Sequence, residues 1–329
     1  GLLQIDETGL VTPLAEGEAT VTAIGPEGLT IEATIAVEHF ENPPVVNFPN
    51  QVVPIFTKLH CNGGGCHGKS GGQNGFRLSL LGFEPQEDFE WLLNEARGRR
   101  LFPAVPENSL ILLKATNTVP HGGGQRLKAG SHDYRVLRRW IMQGMTYGHP
   151  DDPALVRIQV LPEHRTVSRG AEQQICVMAY YSDGSLEDVT HTATYESNDK
   201  DMAQVSTAGL VRVAHLPGDA TIMVRYQDQA SVYRGTVPIG ADVADLPMPR
   251  NFIDKHVFAK LERLGMPPST PCNDSTFVRR TTLDIAGRLP TVEETTAFRE
   301  STDPDKRDKL IDELLMSTDY ADFFASKWS

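Results

Sequence analysis

The sequence predicts a multidomain chain in which all-β sandwich modules flank an all-α module, followed by a mainly α-helical region. Three observations predict it. The first is an internal repeat: Thr8-Gly9-Leu10-Val11 with Gly17-Glu18-Ala19-Thr20-Val21-Thr22 recurs as Ala208-Gly209-Leu210-Val211 with Gly218-Asp219-Ala220-Thr221-Ile222-Met223. The second is the stretch between the two copies, rich in proline and glycine and bounded by two runs of helical spacing. The third is a C-terminal stretch with helical periodicity and recurrent cap residues. The boundaries expected from these are 1–40 for the end of one β module, 41–150 for the helical module, 151–241 for a second β module and 242–329 for the beginning of a helical domain.

In each copy of the repeat a glycine turn leads into a short strand, and an acidic turn leads into alternating residues. Ala19, Val21 and Ala23 alternate in the first copy; Ala220, Ile222 and Val224 do so in the second. This is the pattern of half-buried antiparallel sheet. Upstream of the second copy, further strands are expected at Val156 to Val160, Gln174 to Tyr181 and Thr192 to Glu196, separated by turns such as Ser182-Asp183-Gly184. Together they make one sandwich of about 85 residues. In the middle stretch, Asn50 is expected to cap a helix with Val53, Phe56 and Leu59 on one face. Ser131 is expected to cap another, with Val136, Leu137, Trp140 and Ile141 as its apolar stripe. After Pro247-Met248-Pro249-Arg250 the pattern is helical: Phe252, His256, Phe258 and Leu261, then Phe277 to Ile285, then Ile311, Leu314 and Leu315, with caps at Asp274 and Thr291.

The 329 residues include 43 acidic and 31 basic side chains, for a formal charge of -12, with 40% hydrophobic and 22% charged residues. That excludes a disordered polyanion and argues against nucleic acid as a partner. No stretch reaches the roughly 20 apolar residues of a transmembrane helix, and the first residues lack a signal-peptide pattern. Gly1 opens inside a strand-like pattern and Ser329 closes just after an amphipathic run, so the chain is expected to be a piece of a longer polypeptide. No Ser-His-Asp order, phosphate-gripping glycine loop or paired-carboxylate signature stands out. Enzymatic activity is therefore left open, with a redox carrier favoured over a hydrolase. Arg279, Arg280 and Asp284 share a helix face and read either as a polar site or, more commonly, as a surface ion pair.

Of four cysteines, Cys176 and Cys272 are isolated and read as small, partly buried thiols. The chemistry lies in Leu59-His60-Cys61-Asn62-Gly63-Gly64-Gly65-Cys66-His67-Gly68. Covalent haem attachment needs two cysteines for thioethers and a histidine directly after the second to reach the iron. The usual spacing has two residues between the cysteines; here there are four. Gly63, Gly64 and Gly65 are expected to compact the longer loop by taking backbone angles closed to other residues. Two alternatives compete: a local Cys61–Cys66 disulfide, and zinc held by Cys61, Cys66, His67 and one more histidine. For a sixth iron ligand, Met142 and Met145 lie in or at the end of a helix, where packing is their commoner role. His121 sits in the loop Val119-Pro120-His121-Gly122-Gly123-Gly124; His60 and His132 are lesser candidates. Arg97, Arg99, Arg100, Arg126 and Lys128 gather in the same stretch, either to pair with haem propionates or steer an acidic partner, or as a solvated charged face.

Three resemblances attach to these residues. Residues 154–240 in full, and residues 1–40 as the end of a domain, resemble the bacterial Ig-like group 2 domain through the pattern D-x-x-G-L-V followed by G-x-A-x-I. Residues 47–148 resemble the planctomycete-type cytochrome c domain, in words matched at Phe56 to Gly68, Phe76 to Gly82, Pro106 to Lys114 and Trp140 to Met145. Residues 251–329 resemble a domain of unknown function that commonly follows such modules, at Phe252 to Leu261, Phe277 to Thr291 and Arg307 to Leu315. The cytochrome resemblance implies haem c on Cys61 and Cys66 with His67 as axial ligand, and, through a P-H-G-G-G form, His121 as the other. It further implies an exported protein, periplasmic or at the cell surface, that transfers single electrons to a redox partner protein. The expected alternatives are a cell-surface structural or adhesion protein whose haem or metal site is structural, with surface assembly or polysaccharide contact, or an electron supply to a catalytic C-terminal region acting on an extracellular polymer.

Overall fold

A computed structural model of the chain describes every residue except 26, 27, 69 and 245. Two compact units result, one of residues 1–241 with 262–266 and the other of 242–261 with 267–329.

The first unit begins with β1 (Leu3–Ile5) paired antiparallel to β2 (Val11–Pro13), and β3 (Gly17–Ile24) paired antiparallel to β4 (Thr30–Val37). Helices follow: a π-helical turn over Phe48–Val52 runs into α1 (Val53–Lys58), then come α2 (Pro85–Asn94), α3 (Leu110–Ala115) and α4 (His132–Met142). Phe48, Ile55, Leu92, Leu112, Trp140 and Ile141 are fully buried among them. Ser131 caps α4 by accepting from the Tyr134 amide, as its place before the apolar stripe predicts. The first helix does not start where expected. Asn47, not Asn50, is the cap, its side chain accepting from the Asn50 amide. Pro49 lacks an N–H and suits the first turn, so the helical path begins earlier and Asn50 lies inside it.

The remainder of the unit is a β-sandwich: β5 (Leu155–Leu161), β6 (His164–Thr166), β7 (Glu172–Gln174), β8 (Cys176–Tyr181), β9 (Leu186–Asp188), β10 (Thr194–Ser197), β11 (Ala203–Val205), β12 (Leu210–Val213), β13 (Gly218–Tyr226) and β14 (Gln229–Val237). They form sheets in the orders β10-β13-β14-β6, β11-β12-β7 and β5-β8-β9. The alternation of Ala220, Ile222 and Val224 places all three at 0% exposure in the core. The single strand expected over Gln174 to Tyr181 is instead two. Ile175 is fully buried and its amide bonds the Gly209 carbonyl, so the chain changes sheets there.

The sequence repeat is a structural repeat. Gly9 and Gly209 both take left-handed φ, +83° and +78°, and Gly17 and Gly218 take +138° and +140°. Asp6 and Ser206 each accept from the amide two residues on and the amide of the leucine four residues on, and their own amides bond that leucine's carbonyl. β1 and β2 thus correspond to β11 and β12, and β3 and β4 to β13 and β14.

The sandwich meets the helical region at the head of the π-helical turn. Tyr226 Oη donates to the Asn50 carbonyl at 2.9 Å, Gln227 Nε2 to Asn50 Oδ1 at 3.1 Å, and Asn50 Nδ2 to the Pro153 carbonyl at 2.8 Å. Asn47 Nδ2 donates to Asp152 at 2.7 Å.

The second unit is helical: α5 (Phe252–Leu264), apart from its last residues 262–264, then α6 (Asp274–Ala286), α7 (Val292–Glu300), α8 (Lys306–Leu315) and α9 (Thr318–Trp328). Thr291 caps α7 in a reciprocal capping box with Glu294. Asp274 is not a cap. Asn273 accepts the Thr276 amide, and Asp274, one residue into α6, pairs with Lys306 and Arg307 at 2.7 and 2.9 Å. Arg279, Arg280 and Asp284 are exposed on α6.

Candidate functional site

The chain leaves α1 through His60, in left-handed conformation at φ +57°, and winds tightly through the cysteine loop. The amides of Cys66 and Gly68 bond the Gly63 carbonyl, and the His67 amide bonds that of Cys61 at 3.0 Å. None of Gly63, Gly64 and Gly65 takes a positive φ, which corrects the expectation that they adopt angles closed to other residues. The glycine that the loop requires is Gly68. A Cβ there would lie 1.8 Å from the Asn62 carbonyl oxygen, so backbone passes where any side chain would stand.

His67 projects into a cleft of about 550 Å³, within the range of small-molecule and cofactor sites. Its walls include Phe56, Leu59, Phe76, Leu78, Ile111 and Leu137, together with Cys61, Cys66 and His121. The rings of His67 and His121 have centroids 6.3 Å apart and planes within 6° of parallel. Each Nδ1 lies 2.9 Å from a backbone carbonyl, Phe76 for His67 and Gly124 for His121. A carbonyl only accepts, so each neutral ring carries its proton on Nδ1 and leaves the Nε2 lone pair free for a metal. Burial holds the His67 imidazolium below its ordinary value, which favours the neutral, ligating form.

The thiols of Cys61 and Cys66 are both free, so the disulfide alternative does not describe this loop. Burial, with Cys66 nearby, pushes the Cys61 thiol up to about 12. Among the described residues no group of three or more His, Cys, Asp or Glu side chains is arranged to hold a metal ion, so the four ligands of a zinc centre are not assembled. A porphyrin needs only two axial ligands from the protein, and the donor set fits it: two neutral imidazoles, two thiols and apolar walls.

The other candidates lie elsewhere. Met142 is 56% exposed on α4, where Arg138 approaches its sulfur, and Met145 packs against the apolar core; neither lines the cleft. His60 and His132 are exposed. Of the basic residues, Arg99 and Arg126 line the cleft with exposed side chains, whereas Arg97 and Lys128 are exposed outside it. Arg100 also lines it but is 4% exposed and engaged with backbone carbonyls. What orients the two rings is backbone, the carbonyls of Phe76 and Gly124. Such acceptors carry no residue identity, so spacing alone does not reveal them.

Residues 156–237 match the bacterial Ig-like domain (group 2), and residues 252–329 match a protein family of unknown function (PSCyt2, DUF1549). Ice-binding protein 1 of Shewanella frigidimarina is 34% identical over 77 residues, 23% of this chain and 8% of that protein's length. Among solved structures, domains 4 and 5 of the S-layer protein SbsC align with 26% of this chain and 53% of theirs at 18% identity and a TM-score of 0.23. SbsC domains 5–6 align with 29% of this chain and 49% of theirs at 20% identity and a TM-score of 0.24. No helix among the described residues is long and apolar enough to cross a membrane.

Proposed function

We propose that the chain belongs to an exported modular protein whose residues 41–150 hold one haem c, attached through Cys61 and Cys66 with His67 and His121 as axial ligands, and that it transfers single electrons to a redox partner protein. The observation that carries this is the parallel pair of imidazoles, each with Nδ1 satisfied and Nε2 free, in a cleft that also presents both thiols. Bound there, the haem supplies reversible one-electron chemistry. His67 and His121 would hold it through their free Nε2 atoms, and the apolar part of the wall would limit water around it, which would strengthen the electrostatic control of its potential. Arg99 and Arg126 place positive charge at the rim, where propionates or an acidic partner would meet it. Haem c attachment takes place outside the cytoplasmic membrane, so periplasm or cell surface is the expected location. The test is pyridine haemochrome absorption and haem staining of a denaturing gel; a chain without covalently retained haem overturns the proposal.

A second reading is favoured by the Ig-like match and by the ice-binding relative: a cell-surface structural or adhesion protein in which the haem or metal site stabilises the helical region. Reversible redox titration with a fast partner supports electron transfer. A site inert to mild oxidants and reductants supports the structural reading. The further alternative, electron supply to a catalytic C-terminal region, predicts activity on an extracellular polymer that is lost when residues 41–150 are removed.

A further inference from the structure

We propose that Arg100 is a positioning residue that fixes the orientation and basicity of the His67 imidazole by holding the Gly75-Phe76 turn, through the Gly75 carbonyl and the Phe76 ring. The proposal deepens the haem reading above and rests on it.

Arg100 is 4% exposed, although no carboxylate bonds its guanidinium among the described residues. Its fork is spent on backbone. Nη1 donates to the Trp91 and Glu95 carbonyls at 3.1 and 3.0 Å, at the end of α2 and just beyond it, and Nη2 donates to the Gly75 carbonyl. The guanidinium lies over the Phe76 ring, 4.6 Å from its centre. One side chain therefore ties the end of α2 to both residues of the Gly75-Phe76 step.

That step is the support of His67. The Phe76 carbonyl accepts the His67 Nδ1 proton, and the Phe76 ring packs against the imidazole with centroids 4.6 Å apart. The turn is closed by Gln73, which exchanges hydrogen bonds with Phe76 at 2.9 and 3.0 Å. Gly72, at φ +56°, permits the close approach, since a Cβ there would lie 2.1 Å from the Phe76 oxygen. The Gln73 pair fixes the turn from inside, and Arg100 ties the same turn to α2 from outside.

His121 does not depend on Arg100. Its Nδ1 bonds the carbonyl of Gly124 within its own turn, and its amide bonds Asn117 Oδ1 at 3.3 Å. The two imidazoles are thus oriented independently, and Arg100 governs one of them. A hydrogen bond from the distal nitrogen of a ligating histidine raises its basicity, which favours the oxidised metal. Weakening it raises the reduction potential and frees the ring to turn.

The experiment compares full-length wild type with Arg100→Met, Arg100→Lys and Arg97→Gln, by redox potentiometry and by electron paramagnetic resonance of the oxidised haem. Arg97→Gln removes one positive charge from the same segment without touching Phe76. Arg100→Met is expected to shift the potential upward beyond the Arg97→Gln value and to change the low-spin g values. Arg100→Lys keeps the charge but cannot span three carbonyls in a planar fork, so it is expected to give a smaller shift in the same direction. If Arg100→Met does not retain haem, Arg100→Lys decides by the same two measurements. Wild-type g values and a potential no higher than that of Arg97→Gln in the deciding variant overturn the positioning role while the haem reading stands. A wild-type chain without covalent haem overturns both.

Discussion

Gly68 and Gly65 stand three residues apart in the same loop with opposite tolerance. A methyl group at Gly68 meets the Asn62 carbonyl at 1.8 Å, whereas at Gly65 it meets nothing within 4 Å and the backbone angle is ordinary. Gly68→Ala is expected to destabilise by about 3 kcal/mol or more, and Gly65→Ala to stay within about 0.5 kcal/mol, in denaturant unfolding. Equal effects would show that the loop is not wound as described. Asp88 gives the pH dependence. It is fully buried on α2, its carboxylate accepts from the amide and hydroxyl of Ser79, and burial pushes its pKa up to about 6. Because the folded value lies above the ordinary 3.8, its contribution to stability is present below that value and is lost as pH rises to about 6. Asp88→Asn is expected to match wild type near pH 4 and to exceed it by on the order of 2 kcal/mol at pH 7. Thermal melts at the two pH values check this; a constant difference would remove Asp88 as the source.

Caps separate what is local from what is not. Ser131 and Thr291 are legible because a cap and the apolar run it opens lie within one helical turn. Asn50 misleads because the residues before it, Asn47 and Pro49, suit a helix start equally well, and the competition is settled by tertiary bonds. Asn50 is used instead to join the helical region to the sandwich through Tyr226, Gln227 and Pro153. Asn47→Ala is therefore expected to cost about 1–2 kcal/mol, since it removes both the cap and the bond to Asp152, and Thr291→Ala about 1 kcal/mol. Chemical denaturation of each variant measures the loss; a smaller effect at Asn47 than at Thr291 would contradict the double role.

Across the molecule, the two copies of the repeat share turn geometry but differ in what covers them. Ile222 in β13 is fully buried between sheets, whereas Val21, its counterpart in β3, is half-buried in a two-stranded ribbon. Ile222→Ala is expected to cost about 3–4 kcal/mol and Val21→Ala less than about 1 kcal/mol. Hydrogen exchange across β13 and β3 provides the check, with β13 the slower in wild type. By itself the sequence determined the succession of strand and helix patterns, the repeat with its glycine turns, and the grouping of two thiols with a histidine. All of these follow from spacings within a few residues. Only the tertiary structure decided that His121 faces His67 with parallel rings, that Met142 and Met145 lie away from the cleft, and that Phe76, Gly124 and Arg100 surround the pair. Those relations join segments up to about 50 residues apart through a buried guanidinium and through backbone carbonyls, which every sequence possesses in abundance and only packing selects.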